Sequence, residues 1–233
     1  MSNPIKICLD AGHYGKYNQS PAISSYYESE MNWKLHNYLK AELQAYGFEV
    51  IQTRDKQSDD RGLESRGKAS KGCNLFLSIH SNAVGSRVDE DVDHPVVFVP
   101  LDKSGDKLGI MLGACIAQTM GTQQKADVRY RQGENGDYYG VIRGATSVGV
   151  TGLILEHSFH TNTRSTLWLL DDANLKKMAK AEAEVIAKYY SVEKSEPTVY
   201  RVQVGAYSVK ANAEKMLAKV KAAGFADAYI ASK

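Results

Sequence analysis

The sequence predicts an α/β fold, in which a mostly parallel sheet is flanked by helices and followed by a small βαβ-like C-terminal appendage. Short apolar runs alternate along the chain with longer segments whose apolar residues recur three or four positions apart. This pattern is typical of strands that alternate with helices having one buried face. The chain of 233 residues is also long enough for one substantial core and a small addition. In sheets of this kind, ligands bind beyond the carboxyl ends of the strands.

Apolar runs define the elements of the first half of the chain. The helix that begins at Ser29 has apolar residues three or four apart, and Gly47 is well placed to end it. A buried run precedes His80, where a loop is expected to open. The predicted elements are a strand at 5–9, a polar loop at 14–25, a helix at 29–46, a strand at 48–53, a helix at 63–70 and a strand at 74–79.

The second half continues the alternation and completes a main domain at 1–191. The stretch at 126–138 is polar and rich in charge and glycine, so it is expected to be a long exposed loop. The other predicted elements are a strand at 95–99, a helix at 107–120, a strand at 152–156 and a helix at 172–190.

A charged segment at 192–198, which contains Pro197, predicts a linker. The segment after it, 199–233, is expected to form a strand at 199–206, a helix at 210–223 and the start of a strand at 228–231. A unit of about 35 residues is too short to bury a sound core alone. We therefore expect it to pack on the main domain, to form a homodimer with a second copy, or to be a fragment of a larger module.

Charge and hydropathy exclude several classes of partner. Lys and Arg total 29 against 27 for Asp and Glu, a net charge of +2, so no strong field attracts nucleic acid or an anionic membrane. No apolar run approaches the roughly 18 residues that a membrane span needs, so membrane insertion is not expected. The N-terminus lacks the charged and apolar regions of a secretory signal, and the chain as given is expected to carry none.

Four residues are candidates for one site. His13 and His80 follow two predicted strands, Glu28 lies at the edge of the first helix and Glu156 ends a third strand. Two imidazoles and one carboxylate are a ligand set of catalytic zinc, and a further carboxylate can then move protons. Each residue also has an ordinary interpretation: a single loop histidine is usually exposed or hydrogen-bonded, and Glu28, with which Glu30 competes, suits a helix N-terminus. For Glu156 the ordinary interpretation is weak, because a carboxylate after an apolar run is costly to bury without a partner.

Four motifs in this order carry a resemblance to a known family. They are Leu9-Asp10-Ala11-Gly12-His13, the Glu28–Asn32 segment, Ser78-Ile79-His80-Ser81-Asn82 and the segment 155–162, Leu-Glu-His-Ser-Phe-His-Thr-Asn. Together they resemble the N-acetylmuramoyl-L-alanine amidase family often called amidase type 3, over roughly 5–190. The resemblance implies that His13, Glu28 and His80 bind Zn2+ and that Glu156 is the catalytic base and acid. The family's spacing between its glutamate and a helix asparagine selects Glu28, followed by Asn32, over Glu30.

The implied reaction is zinc-dependent hydrolysis of the amide bond between N-acetylmuramic acid and L-alanine in bacterial peptidoglycan. Two alternatives stay open: a zinc peptidase that acts on stem peptides, and a non-catalytic peptidoglycan-binding protein of the same fold. Asn82 and Arg143 are candidate substrate-binding residues, with a loop cap and a surface salt bridge as their ordinary roles. His157 and His160 are given no metal role by the resemblance and are expected to pack near the site. The loop from Tyr14 to Pro21 is more polar and aromatic than the glycine-rich loop of the family.

The segment Tyr200–Tyr207, followed by a helix rich in Lys and Ala, resembles the opening of the SPOR repeat, a peptidoglycan-binding module. It covers about the first half of one repeat, and such a half could pair with a second copy of the chain. An amidase with no signal and a wall-binding tail fits a phage endolysin, made in the bacterial cytoplasm. A secreted bacterial autolysin whose signal was removed is the alternative.

Overall fold

The computed structural model describes residues 4–194 and 202–231. The chain divides into two compact units, Met1–Ser195 and Glu196–Lys233. Among the described residues, no helix combines the length and the apolar composition that crossing a membrane requires.

The larger unit is built on a sheet of six strands with the order β2-β1-β3-β8-β4-β5. Strands β2, β1, β3 and β8 are parallel to one another, whereas β4 is antiparallel to β8 and β5 is parallel to β4. The strands are β1 (Lys6–Ala11), β2 (Glu49–Gln52), β3 (Leu75–Asn82), β4 (Val96–Phe98), β5 (Asp127–Arg129) and β8 (Gly152–Phe159), and a separate hairpin pairs β6 (Gln132–Gly133) with β7 (Gly136–Asp137). The predicted mostly parallel sheet is thus confirmed.

Helices cover both faces of this sheet. The helices of the larger unit are α1 (Glu28–Ala45), α2 (Leu63–Lys68), α3 (Asp106–Met120), α4 (Gly140–Thr146), α5 (Thr163–Leu170) and α6 (Asp172–Tyr190). Alternate strand residues such as Leu9, Leu77 and Leu155 form one core with α1, α3 and α6. The intervening residues, such as Phe76 and Ile154, pack on the other face against α4, as the two-residue period of a strand requires.

Two glycines allow α2 and α4 to touch along their backbones. A Cβ at Gly67 would lie 2.1 Å from the carbonyl oxygen of Val141, and one at Gly144 would lie 2.4 Å from that of Glu64. No other residue fits at either position. This close contact fixes α4, and with it the residues that precede it, beside β8.

Some elements differ from the predictions. The stretch predicted as a loop at 126–138 contains β5 and the hairpin of β6 and β7, because β4 offers β5 a paired edge that the local sequence does not reveal. Helices α4 and α5 were not predicted; they have seven and eight residues, too few to display a clear helical period. Strands β3 and β8 continue three residues beyond their predicted ends, to Asn82 and Phe159.

The smaller unit contains one helix among its described residues, α7 (Lys210–Ala222), and none of its side chains is buried. The two predicted strands of this unit are wrong where the structure describes them, at 202–206 and 228–231. A strand needs a hydrogen-bonded neighbour, and the described part of this unit offers these segments none. Residues 199–201 of the first predicted strand, and 195–198 of the predicted linker, lie outside the described residues.

Candidate metal centre

Three predicted ligands meet at one point. One potential ligand atom from each of His13, Glu28 and His80 lies within 4.8 Å of the others. Oε2 of Glu28 is 3.2 Å from Nε2 of His13, and Oε1 is 2.8 Å from Nδ1 of His80. Glu28, which was predicted to lie at the edge of the first helix, is the first residue of α1, and its side chain is almost fully buried, with 2% exposed.

Neutral groups complete the surroundings of the Glu28 carboxylate. Asn18 Nδ2 donates to Oε2 at 2.6 Å, and the backbone N–H of Ser81 donates to Oε1 at 3.1 Å. Asn32 Nδ2 contacts Oε1 at 3.4 Å and donates to the carbonyl of Gly12 at 3.1 Å. A buried carboxylate needs a positive charge nearby, and among these direct contacts no Lys or Arg supplies it. The arrangement therefore suits a bound cation.

The electrostatics of Glu28 and His80 also suit metal binding. Burial alone would raise the pKa of Glu28, but hydrogen bonds with His13 and His80 outweigh it and hold the pKa well below the usual range. Burial lowers the pKa of His80, although Glu28 acts in the opposite direction. An ionised carboxylate and a neutral imidazole are the forms that bind metal ions.

The backbone at Gly12 and His13 has a conformation that leaves room for the imidazole of His80. Gly12 lies against the imidazole of His80, where a Cβ would stand 2.2 Å from Cε1. His13 has a φ of 58°, a left-handed conformation that is uncommon for a residue with a side chain. Arg54 holds this turn by donating from Nη2 to the carbonyl oxygen of His13.

Glu156 lies beside this centre. It pairs in register with His80 on the neighbouring strand, so the two side chains emerge on the same face of the sheet. Burial and the negative charge of Glu28 raise the pKa of Glu156 well above its usual value. Its buried Oε2 has no hydrogen-bond partner among the described residues. A buried, unpartnered carboxyl oxygen is costly and is typical of a group held for chemistry.

A buried hydrogen-bond network that was not predicted lies next to the site, where Asp10 of β1 pairs with Ser78 of β3, two residues before His80. The Asp10 carboxylate accepts hydrogen bonds from Nε and Nη2 of Arg66 at 2.9 and 2.5 Å, and from the hydroxyls of Thr53 and Ser78 at 2.6 Å each. Burial opposes ionisation, but Arg66 and the hydrogen bonds lower the pKa of Asp10. This network ties β1 to β3 directly before the two histidines. The sequence signal was present in the Leu9–His13 motif and in the helix that carries Arg66.

His157 and His160 support the site from behind, in agreement with the predicted packing role. Nδ1 of His157 lies 3.0 Å from the carbonyl oxygen of His80, and Nε2 lies 2.8 Å from Oε1 of Glu182 on α6. Nδ1 of His160 lies 2.9 Å from the hydroxyl of Ser81, which also contacts the hydroxyl of Tyr26 at 2.7 Å. Glu182 was not singled out in the sequence, because nothing local relates it to β8.

Asn82 and Arg143, the two candidate substrate-binding residues, make the loop-cap and salt-bridge contacts that were their alternative roles. The side chain of Asn82 accepts a hydrogen bond from the N–H of Ala83 at 2.9 Å, as a loop cap does. Arg143 forms a 2.9 Å salt bridge with Glu64 and donates to the carbonyl oxygens of Asp137 and Tyr138. A role of either residue in binding substrate stays a prediction.

Comparison with known families decides the identity of the larger unit. The family model described as N-acetylmuramoyl-L-alanine amidase matches residues 7–188. The chain belongs to this family. It is a peptidoglycan amidase that acts on the cell wall, and the prediction from the four motifs is confirmed at that level. A model of the SPOR domain matches residues 173–233, so this second match begins inside α6, upstream of the boundary predicted at 199.

Two related amidases align with nearly the whole of this chain. The chain is 28% identical over 225 residues to the N-acetylmuramoyl-L-alanine amidase CwlM of Bacillus licheniformis, and the alignment covers 95% of this chain and 83% of that protein. It is 23% identical over 230 residues to a sporulation-specific N-acetylmuramoyl-L-alanine amidase of Bacillus subtilis, covering 95% and 82%.

Solved structures share the fold of the larger unit. The catalytic domain of the amidase CwlV from Bacillus (Paenibacillus) polymyxa superposes with a TM-score of 0.68 at 23% identity, covering 81% of this chain and 99% of that one. An N-acetylmuramoyl-L-alanine amidase from Clostridium difficile 630 gives a TM-score of 0.69 at 17% identity, covering 82% and 98%.

Proposed function

We propose that this amidase hydrolyses the bond between N-acetylmuramic acid and L-alanine with a zinc ion held by His13, Glu28 and His80, and with Glu156 as general base and acid. The observation that carries the proposal is the unpartnered Oε2 of Glu156 next to a convergent set of two imidazoles and a carboxylate. One group is poised to exchange a proton, and three others are poised to bind a cation.

Zinc fits these residues. Two histidines and one glutamate form a three-residue ligand set that leaves a position open for chemistry, and the buried Glu28 carboxylate lacks any other cation among its direct contacts. When bound, zinc polarises a carbonyl oxygen and lowers the pKa of a water molecule to about 7. Asn18, Asn32 and the N–H of Ser81 fix the orientation of Glu28, as groups around metal ligands commonly do.

Glu156 performs the proton transfers. Its carboxylate removes a proton from the attacking water, and the resulting carboxylic acid gives that proton to the nitrogen of L-alanine as the amide bond breaks. Such a group works best when its pKa lies near the working pH, and burial together with the charge of Glu28 raises the pKa of Glu156 in that direction. Transfer through one positioned residue accounts for roughly 10²- to 10⁴-fold in rate.

The test combines zinc content with product analysis. We expect about one zinc per chain, and release of stem peptides with free N-terminal alanine that stops on chelation and returns with zinc. Metal-free protein that digests peptidoglycan equally well would overturn the proposal. Bound zinc with cleavage inside the stem peptide would identify a peptidase instead, and bound zinc with no cleavage would identify a binding protein.

For the C-terminal unit we propose the boundaries drawn from the sequence: a catalytic domain at 1–191, a linker at 192–198 and a peptidoglycan-binding segment at 199–233 that forms a homodimer. Several of its apolar side chains are open to solvent, among them Val202, Phe225 and Tyr229, which are 89%, 62% and 69% exposed. A second copy could cover them. Sedimentation of the full chain at increasing concentration tests this, and a monomer at all concentrations would refute the dimer.

A further inference from the structure

The loop after His13 presents a stack of aromatic rings that begins at the catalytic centre and ends in solvent. The ring of Tyr17 stacks on His13 with centroids 4.9 Å apart and an interplanar angle of 18°, and Tyr14 stacks in turn on Tyr17 at 6.4 Å and 22°. Tyr17 is 50% exposed and Tyr14 is 41% exposed. Exposed aromatic surface beside a reactive centre is typical of a ligand-binding groove.

The loop holds these rings in place before any ligand arrives. The hydroxyl of Ser29 donates to the carbonyl oxygen of Gly15 at 2.7 Å and accepts from the N–H of Tyr17 at 2.9 Å. The N–H of Gly15 also donates to the carbonyl oxygen of Gln57 at 3.1 Å. A surface fixed in this way loses little conformational freedom when it binds.

From this geometry, and resting on the proposed function, we propose that Tyr17 and Tyr14 form the subsite for the sugar ring of N-acetylmuramic acid. Only three covalent bonds, of about 1.5 Å each, separate the amide carbon from the pyranose ring that carries the lactyl group. An amide placed at the catalytic centre therefore brings this ring close to His13, where Tyr17 stacks. The apolar C–H face of a pyranose matches a flat aromatic ring, and the tyrosine hydroxyls can meet sugar hydroxyls.

The charges around the loop favour the sugar over the stem peptide as occupant. Stem peptides carry carboxylates, which call for a free cation beside the rings. Lys16 is the basic residue of this loop, and its ammonium lies 4.0 Å from Glu30 and 5.2 Å from the ring centroid of Tyr27. Lys16 is thus already engaged away from the stack of Tyr14 and Tyr17.

Competitive inhibition of the full-length enzyme tests the subsite. The probes are a peptide-free disaccharide of N-acetylglucosamine and N-acetylmuramic acid, and a free stem peptide. We expect Tyr17→Ala and Tyr14→Ala each to raise the inhibition constant of the disaccharide by up to about tenfold. Tyr17→Phe keeps the stacked ring and is expected to retain most of the affinity.

Tyr130 supplies a matched control. It is 44% exposed but follows β5, whose carboxyl end points away from those of β1, β3 and β8 because β4 and β5 run in the opposite direction. Tyr130→Ala is therefore expected to leave both inhibition constants unchanged. Wild-type values for the disaccharide in both Tyr14→Ala and Tyr17→Ala would overturn the subsite, as would a rise for the stem peptide alone. If Glu156→Gln remains active while the disaccharide effect persists, the proposed mechanism fails and the subsite stands.

Discussion

Gly12 and His80 share a space that no side chain at position 12 could enter, because a Cβ there would stand 2.2 Å from Cε1 and 2.3 Å from Nε2 of the imidazole. We predict that Gly12→Ala displaces His80 and weakens zinc binding by roughly 10- to 100-fold, the usual cost of disturbing the groups that orient a metal ligand, with the fold retained. Zinc titration and far-UV circular dichroism measure the two effects. Gly62→Ala is the control, since a Cβ at Gly62 meets nothing within 4 Å. Equal zinc affinity in both variants would show that His80 is not held where the site requires it.

Replacing Glu156 by Gln separates proton transfer from metal binding. The amide keeps the shape of the side chain but cannot take up a proton from water, so we expect kcat to fall about 10²- to 10⁴-fold with zinc content unchanged. Peptidoglycan turnover and zinc stoichiometry on the same preparation provide the measurement. Loss of zinc would reassign Glu156 as a ligand.

Removal of one imidazole from the proposed zinc site is expected to abolish both zinc retention and activity, because two remaining ligands hold the ion poorly. The variant is His80→Ala, compared with His94→Ala, whose ring packs against Phe159 instead. Zinc retained after dialysis is the measurement for both. A His80→Ala protein that keeps its zinc and its activity would contradict the ligand assignment.

The pair of Asp10 and Arg66 predicts a pH-dependent contribution to stability. The pKa of Asp10 is lowered in the folded protein, so its stabilisation is fully present above the unfolded pKa of about 3.9 and is lost as the pH falls through the lower folded value. At pH 7 we expect Asp10→Asn to reduce the free energy of unfolding by about 3–5 kcal/mol. Urea unfolding from pH 7 to pH 3 should show this difference shrinking below about pH 4. A difference independent of pH would mean that Asp10 contributes packing alone.

The buried contact between His157 and Glu182 predicts non-additive effects. Both side chains are fully buried, with Nε2 and Oε1 2.8 Å apart, so removing either partner leaves the other unpaired. We expect His157→Leu and Glu182→Leu each to cost about 3–5 kcal/mol and the double variant to cost less than the sum. Urea unfolding of the wild type, the two single variants and the double variant completes this double-mutant cycle. Strictly additive losses of unfolding free energy would rule out the coupling between His157 and Glu182.

The four motifs allowed the family and the residues of the candidate site to be predicted, because each motif joins a strand or helix end to a side chain that the chemistry needs. His13 and His80 belong to the motifs at the ends of β1 and β3, and the local pattern of each motif was sufficient to single out its histidine. The spacing between Glu28 and Asn32 selected Glu28 over the neighbouring Glu30. The groups that orient them could not be predicted. Asn18 acts from an irregular loop whose shape has no local pattern, whereas the N–H of Ser81 and the carboxylate of Glu182 act through contacts between segments that are distant in the chain.

The sequence by itself determined the alternation of strands and helices and the residue types of the candidate site, since apolar period and residue type are local properties. Only the tertiary structure decided the antiparallel direction of β4 and β5 and the helices α4 and α5, because pairing and packing partners select among conformations that a short segment allows. It likewise decided that β3 and β8 continue past His80 and Glu156. The raised pKa of Glu156 belongs to this second class, because burial and the charge of Glu28, not the glutamate itself, produce it.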